Sequence, residues 1–91
     1  MSRWRSGARP AWWSWELLLT RHVLERMVDR AFTETDLRWM LHRALGLRRS
    51  GDGLGWVVET RHRSRAWEVV LEPDPEARLL IVVTAYPVSD R

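Results

Sequence analysis

The chain has 91 residues, which is enough for one domain with a single hydrophobic core. Hydrophobic residues make up 45% of it and charged residues 30%, so it is too apolar for a disordered protein. The absence of cysteine excludes a disulfide framework and a cysteine-ligated zinc site. The net charge is +3, and all 15 basic residues are arginine, a residue suited to planar contacts with phosphate and also favoured by GC-rich codon usage. This charge is compatible with a nucleic acid, with an acidic partner protein, or with neither.

The N-terminal residues differ in composition from the rest of the chain. Residues 1–14 combine Arg, Gly, Pro, Ser and Trp and predict a flexible leader, followed by a single domain at residues 15–91. Three alternatives stay open for Trp12, Trp13 and Trp15: contact with a membrane interface or nucleic acid, packing on the domain as an extra turn or strand, or a leader under little selection. Polar residues interrupt the apolar run and no cleavage pattern or membrane-length stretch follows, so we expect a cytoplasmic protein without a membrane span.

Two helices are predicted in the first half of the domain. Residues 20–30 have an apolar stripe at helical spacing and Thr20 as a candidate N-cap. That stripe consists of Val23, Leu24, Met27, Val28 and Ala31. Thr33, followed by acidic residues, starts a second helix at residues 34–45. Its apolar stripe consists of Leu37, Met40, Leu41 and Ala44.

The second half of the domain predicts a glycine-rich loop and three strands. Four of the five glycines lie in residues 46–55, which predicts a mobile loop. Strands are predicted at residues 56–62, 66–72 and 79–86, and their short connections imply antiparallel neighbours. The last strand is apolar on both faces and should be central or covered on both sides. The predicted class is therefore α+β: two N-terminal helices followed by a three- or four-stranded antiparallel sheet.

Basic side chains on the first helix form the first candidate site. His22, Arg26 and Arg30 follow one another at a spacing of four residues and so share a helix face. Histidine can transfer a proton near neutral pH, and arginine can stabilise negative charge on phosphorus. The alternative is a solvated helix face whose charge Glu25 and Asp29 neutralise.

The turn after the first predicted strand is the densest positive patch in the chain. Arg61, His62, Arg63 and Arg65 lie within five residues. Such a patch can bind a phosphate backbone, although a solvated hairpin turn also tolerates this charge.

Hydroxyl groups end the last predicted strand. Thr84 and Tyr86 alternate with apolar residues and so point to the same face, where they would complete a phosphate site beside a histidine and arginines. The alternative is that both are ordinary strand residues. Trp39, Trp56 and Trp67 fall in regular elements, which favours core positions for all three over the alternative of base-stacking platforms.

Several of these motifs resemble a family of small bacterial domains of unknown function. The run R-H-V-L-E-R-M-V-D-R at residues 21–30 has the pattern H-x-x-x-R-x-x-x-R, and F-T-E-T-D-L at residues 32–37 supplies the turn and acidic helix start. W-E-V-V at residues 67–70 precedes a Pro-Asp turn, and V-V-T-A-Y-P at residues 82–87 resembles the family's ending. The resemblance covers about residues 20–88.

That family is similar to the superfamily of metal-independent ribonucleases that includes barnase, colicin D and the RelE-like toxins. The similarity implies a RelE/barnase-like fold and RNA cleavage by attack of the 2′-hydroxyl, without a metal or other cofactor. It implies that His22 is the general acid or base, that Arg26 stabilises the phosphorane, and that Thr84 or Tyr86 orients the scissile phosphate. The residues expected to bind nucleic acid are Arg30, Arg61, His62, Arg63 and Arg65; His62, a candidate second proton-transfer group, matches no family motif.

Three functional hypotheses follow. The first is a toxin-like endonuclease acting on tRNA or mRNA in the bacterial cytoplasm, held in check by an acidic antitoxin or immunity protein. The second is a non-catalytic basic module that binds nucleic acid or an acidic partner through its arginines. The third is an interaction domain of phage or defence systems that makes contact through the tryptophan-rich leader. The oligomeric state does not follow from the sequence.

Overall fold

The architecture is a five-stranded mixed sheet with two helices on one face. The computed structural model describes residues 9–88. The elements in chain order are a 3-10 turn at Ala11–Ser14, β1 at Glu16–Leu19, α1 at Arg21–Asp29, α2 at Glu34–His42, β2 at Gly46–Arg49, β3 at Trp56–His62, β4 at Arg65–Asp74 and β5 at Leu79–Pro87. The strand order is β1-β5-β4-β3-β2, in which β1 is parallel to β5 and the other neighbours are antiparallel.

The predicted arrangement of two helices followed by a three- or four-stranded antiparallel sheet, RelE/barnase-like, is wrong. Two short strands that were not predicted account for the difference. β1 precedes both helices and adds a parallel edge, in which Leu17 pairs with Leu80 and Leu19 with Val82. β2 occupies the start of the stretch predicted to be a mobile loop. Four-residue strands of this kind have little intrinsic preference for extended structure and depend on the pairing that the sheet offers them.

The beginning of α1 is fixed by Thr20. Its side-chain oxygen accepts a hydrogen bond from the Val23 amide at 3.2 Å and lies 2.9 Å from the Val82 carbonyl oxygen and 3.0 Å from that of Val83, so its hydroxyl donates toward β5. The predicted apolar stripe is too wide, since Val23 is buried and Leu24 is about half exposed. Val28 is 82% exposed, which leaves α1 covering the sheet with a narrow face only.

The second helix is held at both ends. Thr33 and Asp36 form a capping box, in which each side chain accepts a hydrogen bond from the other residue's backbone amide. Near its C-terminus, the buried Thr60 hydroxyl donates to the Met40 carbonyl at 2.6 Å and connects the helix to β3. All four residues of the predicted stripe are buried, as predicted: Leu37, Met40, Leu41 and Ala44.

Strand alternation places the core between the helices and one face of the sheet. The buried side chains of β4 and β5 on this face are Trp67, Val69, Leu71, Leu80, Val82 and Ala85. β5 has a neighbour on each side, as its two-sided apolar sequence predicts. A bulge between Val70 and Leu71 in the β4–β5 register leaves Val83 without a partner in β4.

The tryptophan-rich stretch packs on the domain from Arg9 onward. Trp12 and Trp13 lie against the core, and the Trp12 ring is 5.9 Å from the Trp56 ring. The guanidinium of Arg49 lies 4.7 Å from the centroid of the Trp56 ring. The remainder of the predicted leader, residues 1–8, lies outside the described residues. Within residues 9–88 no helix is both long and apolar enough to span a membrane.

Candidate functional site

The turn between β3 and β4 presents the densest positive patch in a strained conformation. His62 pairs with Arg65, so a two-residue turn joins the strands. Both turn residues have positive φ, at 53° for Arg63 and 64° for Ser64. Two-residue hairpin turns with two positive φ angles favour Asn-Gly, because a Cβ atom disfavours this conformation by roughly 1–2 kcal/mol per residue. The chain therefore retains Arg and Ser here against the local backbone preference.

The His62 side chain is buried beneath this turn. It follows Val58 and Thr60 on the core-facing side of β3 and is only 7% exposed. Its ring packs edge-to-face on Trp67, at a centroid distance of 5.4 Å. Trp67 in turn contacts Phe32 in the same manner at 5.2 Å. Nε2 of His62 has no hydrogen-bond partner among residues 9–88, an unfavourable state for a buried polar atom.

A cavity of about 340 Å³ adjoins this imidazole. Its lining, which we call the His62 pocket, consists of Arg43, Leu45, Arg61, His62, Arg63 and Ser64. Arg43 is the C-cap residue that follows α2, so the pocket joins the helix terminus to the β3–β4 hairpin. Within the described part of the chain the ion pairs involve Arg38 and Arg48, so none of the three pocket arginines is paired with a carboxylate.

The electrostatics of the pocket disfavour a positive charge on His62. Burial lowers the pKa of the His62 imidazole below its ordinary value of 6.5, and the charges of Arg63 and Arg43 lower it further. Asp36 opposes this shift. The Asp36 carboxyl itself has a lowered pKa, chiefly because it accepts the hydrogen bond from the Thr33 backbone amide. The imidazole is therefore neutral near pH 7, beside three guanidinium groups and one carboxylate.

The predicted catalytic residues are divided between the two faces of the sheet. His22 and Arg26 lie on α1, which packs on the core-facing side. Thr84 pairs with Val70 and alternates with the buried Ala85, which places it on the face without helices. Tyr86 lies on that same face, as the sequence predicts for these two hydroxyl residues. The structure does not bring the α1 pair together with the β5 pair, and the catalytic roles implied by the resemblance stay a prediction.

Tyr86 belongs to a separate polar network. Its hydroxyl donates to Glu68 at 2.7 Å, and this hydrogen bond is the main reason that the pKa of Tyr86 is raised. Arg48 donates to the other oxygen of Glu68 at 2.8 Å and to Glu59 at 3.2 Å. One arginine thus holds the two facing carboxylates of β3 and β4, and Tyr86 extends the network to β5.

The predicted nucleic-acid-binding residues are only partly assembled. Arg61, His62 and Arg63 line the His62 pocket. Arg65 is exposed on the strand that follows the turn, and Arg30 is the C-terminal cap of α1; neither lines this pocket. Sequence reasoning missed Arg43, because the second helix was extended past it and only the folded chain brings its end to the hairpin.

An exposed tryptophan lies next to the pocket. Trp39 was predicted to be a core residue, but its side chain is 53% exposed, whereas Trp67 is buried as predicted. The Arg43 guanidinium lies 5.6 Å from the Trp39 ring centroid, and the His42 ring meets that ring edge-to-face at 5.7 Å. A shallow groove of about 410 Å³, the Trp39 groove, is lined by Thr35, Arg38, Trp39 and His42.

The described residues contain no candidate metal cluster, and the comparisons with known proteins do not identify the site. Among residues 9–88, no three His, Asp or Glu side chains are grouped so that they could hold a metal ion. Comparison of the chain with protein-family models, curated proteins and solved structures finds no match. The resemblance to the ribonuclease toxins therefore stays a prediction.

Proposed function

We propose that this domain binds RNA, with a backbone phosphate held in the His62 pocket. The observation that carries the proposal is the cavity in which three arginines without carboxylate partners meet a buried imidazole. The cytoplasm, where RNA is abundant, is the compartment in which we propose that the domain acts.

The pocket chemistry fits a phosphate better than an uncharged ligand. Guanidinium groups present planar sets of N–H donors that match phosphate oxygens, and charge-assisted hydrogen bonds of this kind are stronger than neutral ones. Arg61 is partly oriented already, because it donates to the Ser64 carbonyl at 3.1 Å across the turn. Such preorganisation lowers the ordering entropy lost on binding.

His62 would complete the binding site by taking up a proton. A monoanionic backbone phosphate beside the ring favours the imidazolium, which opposes the effect of burial on the pKa. The protonated ring has N–H donors on both nitrogens, so it can donate to a phosphate from whichever nitrogen borders the pocket.

The strained turn supports the same proposal. Non-glycine residues with positive φ persist where another requirement outweighs the backbone preference, and functional sites are a common place for them. Arg78, in the β4–β5 turn at the opposite end of the sheet, has a similar φ of 55° and does not line the pocket. These two arginines form a matched pair for testing the proposal.

The test compares Arg63→Asn with Arg78→Asn. Asparagine accepts positive φ more readily than arginine, so both variants should be more stable than the parent, by about 0.5–1 kcal/mol in denaturant unfolding. Only Arg63→Asn should bind a fluorescein-labelled RNA oligonucleotide about tenfold more weakly in anisotropy titrations. Its plot of log affinity against log salt should also be shallower by about 0.7. Equal RNA binding by all three proteins would refute the assignment of the pocket.

A second candidate function is metal-independent RNA cleavage at the same pocket. A neutral imidazole beside three arginines can accept the 2′-hydroxyl proton, so that the 2′-oxygen attacks phosphorus and the 5′-oxygen leaves. The leaving oxygen also needs a proton, which water or the newly formed imidazolium would donate. An acidic antitoxin or immunity protein would then cover the basic pocket.

Incubation with total RNA and tRNA in EDTA separates cleavage from binding. Cleavage at the pocket predicts discrete fragments that disappear in His62→Ala and persist in His22→Ala. Fragments lost only in His22→Ala would instead support the α1 assignment implied by the resemblance. Intact RNA that is nevertheless bound leaves the non-catalytic RNA-binding function.

A further inference from the structure

Trp39 is a large aromatic residue that is exposed on the outer side of α2. A side chain of this size is normally used in the core or at an interface, where its burial is most favourable. In α2 its neighbours Leu37, Met40 and Leu41 are buried, whereas Trp39 faces outward with 53% of its surface accessible. Its exposure therefore leaves an apolar aromatic surface on the outer side of the helix.

The Trp39 groove and the His62 pocket share one connecting residue. Arg43 lines the pocket, lies 5.6 Å from the Trp39 ring centroid and directs its Nε toward the Trp39 carbonyl at 3.4 Å. An arginine that contacts both an indole ring and a phosphate pocket suits a nucleotide, in which an aromatic base adjoins a phosphate.

The lining of the groove is consistent with a base. Thr35, Arg38 and His42 surround the indole ring and supply hydrogen-bonding groups at its margin. Arg38 is held by Glu34 through hydrogen bonds of 2.9 and 3.2 Å, so a carboxylate balances its charge, whereas the arginines of the His62 pocket have no such ion pair. A phosphate would be drawn to the pocket and an uncharged base to the groove.

We propose that the Trp39 groove is a base-stacking subsite that makes the domain selective for single-stranded RNA. The inference rests on the proposed RNA binding and deepens it. An unpaired base can stack on the indole while an adjacent phosphate lies in the His62 pocket. A base within a duplex is already stacked between its neighbours and does not expose its face, so duplex RNA gains only the phosphate contacts.

The experiment compares one labelled RNA strand, free and annealed to its complement, in anisotropy titrations. The parent should bind the single strand about tenfold or more tightly than the duplex, which corresponds to the stacking of one base. Trp39→Ala should lose this preference by weakening single-strand binding alone. Trp39→Phe should restore much of it, because an aromatic face is retained. Leu24→Ala, which truncates an exposed apolar residue on α1, is the matched control and should bind both RNAs like the parent.

The outcomes separate this inference from the function on which it rests. Equal affinity of the parent for strand and duplex, or unchanged single-strand binding by Trp39→Ala, overturns the stacking subsite. If Arg63→Asn still weakens binding in that case, the phosphate pocket stands without it. If the parent binds neither RNA, both proposals fail together.

Discussion

His62 is the residue at which stability and proposed function oppose each other. A buried imidazole with an unpartnered nitrogen is less favourable than an apolar ring of the same shape, which would keep the packing on Trp67. The proposed phosphate compensates this cost only in the complex, where it pairs with the imidazolium. The site is therefore expected to be more strained in the free protein than in the bound one.

The lowered pKa of His62 predicts a specific loss of stability in mild acid. The unfolded chain has the ordinary pKa near 6.5 and binds a proton before the folded protein does. The contribution of His62 to the free energy of unfolding is therefore fully present above about pH 6.5. It is lost as the pH falls through the lower pKa that His62 has in the folded protein. His62→Phe should unfold with a flatter dependence on pH between about 7.5 and 5.5 in urea titrations.

The control for this prediction is His22→Phe. It removes an exposed histidine from α1 and leaves His62 in place, so it should retain the pH dependence of the parent. If the stability of His62→Phe also depends on pH as that of the parent does, a group other than His62 causes the loss of stability in mild acid.

At the scale of elements, the contacts of Thr20 connect three parts of the fold. The residue follows β1, caps α1 and donates toward the carbonyls of β5 at the position where the β4–β5 register shifts. Its backbone amide also donates to the Val82 carbonyl at 3.3 Å. The direction in which α1 leaves the sheet is therefore set by one side chain and its neighbouring backbone.

Substitution of Thr20 tests this connection. Thr20→Val keeps the size and branching of the side chain but removes the cap and the hydrogen bond to β5, so it should lower the free energy of unfolding by about 2 kcal/mol. Thr20→Ser keeps the hydroxyl and should lie within about 0.5 kcal/mol of the parent. Urea denaturation measures both, and equal midpoints for the two variants would show that the hydroxyl does not stabilise the domain.

At the scale of the whole molecule, β1 closes the core at one edge of the sheet. Leu17 and Leu19 face the helices and pack against the core, whereas Leu18 points to the opposite face and is 46% exposed. β1 and β5 are separated in sequence by both helices and three strands, so their pairing joins distant parts of the chain. Disturbing this edge should therefore weaken the domain as a unit.

Alanine substitutions along β1 test whether the parallel edge belongs to the folded domain. Leu17→Ala should lower the free energy of unfolding by about 1–2 kcal/mol, because it leaves a cavity beside Leu80 in a partly buried site. Leu18→Ala, the adjacent control, should lower it by roughly 0.5 kcal/mol or less. Similar small effects of both substitutions would indicate that β1 does not pack on the core in solution.

The sequence alone was sufficient to predict the helices and strands that local interactions specify. Thr20 and Thr33 mark the starts of the helices because N-caps act within one turn, and β3, β4 and β5 follow from strand-forming residues joined by short turns. The positive patch at Arg61, His62 and Arg63 was also visible, since its members are adjacent in the chain.

Tertiary structure alone decided the short strands and the composition of the site. β1 and β2 have too few residues to show a period. β1 depends on a partner strand distant in the chain, and β2 depends on pairing with the adjacent β3. Sequence spacing also cannot tell that the sheet separates Tyr86 from His22, that Arg43 reaches the hairpin, or that Trp39 faces outward. These features depend on which faces pack together, because burial is a property of the assembled layers and not of any one segment.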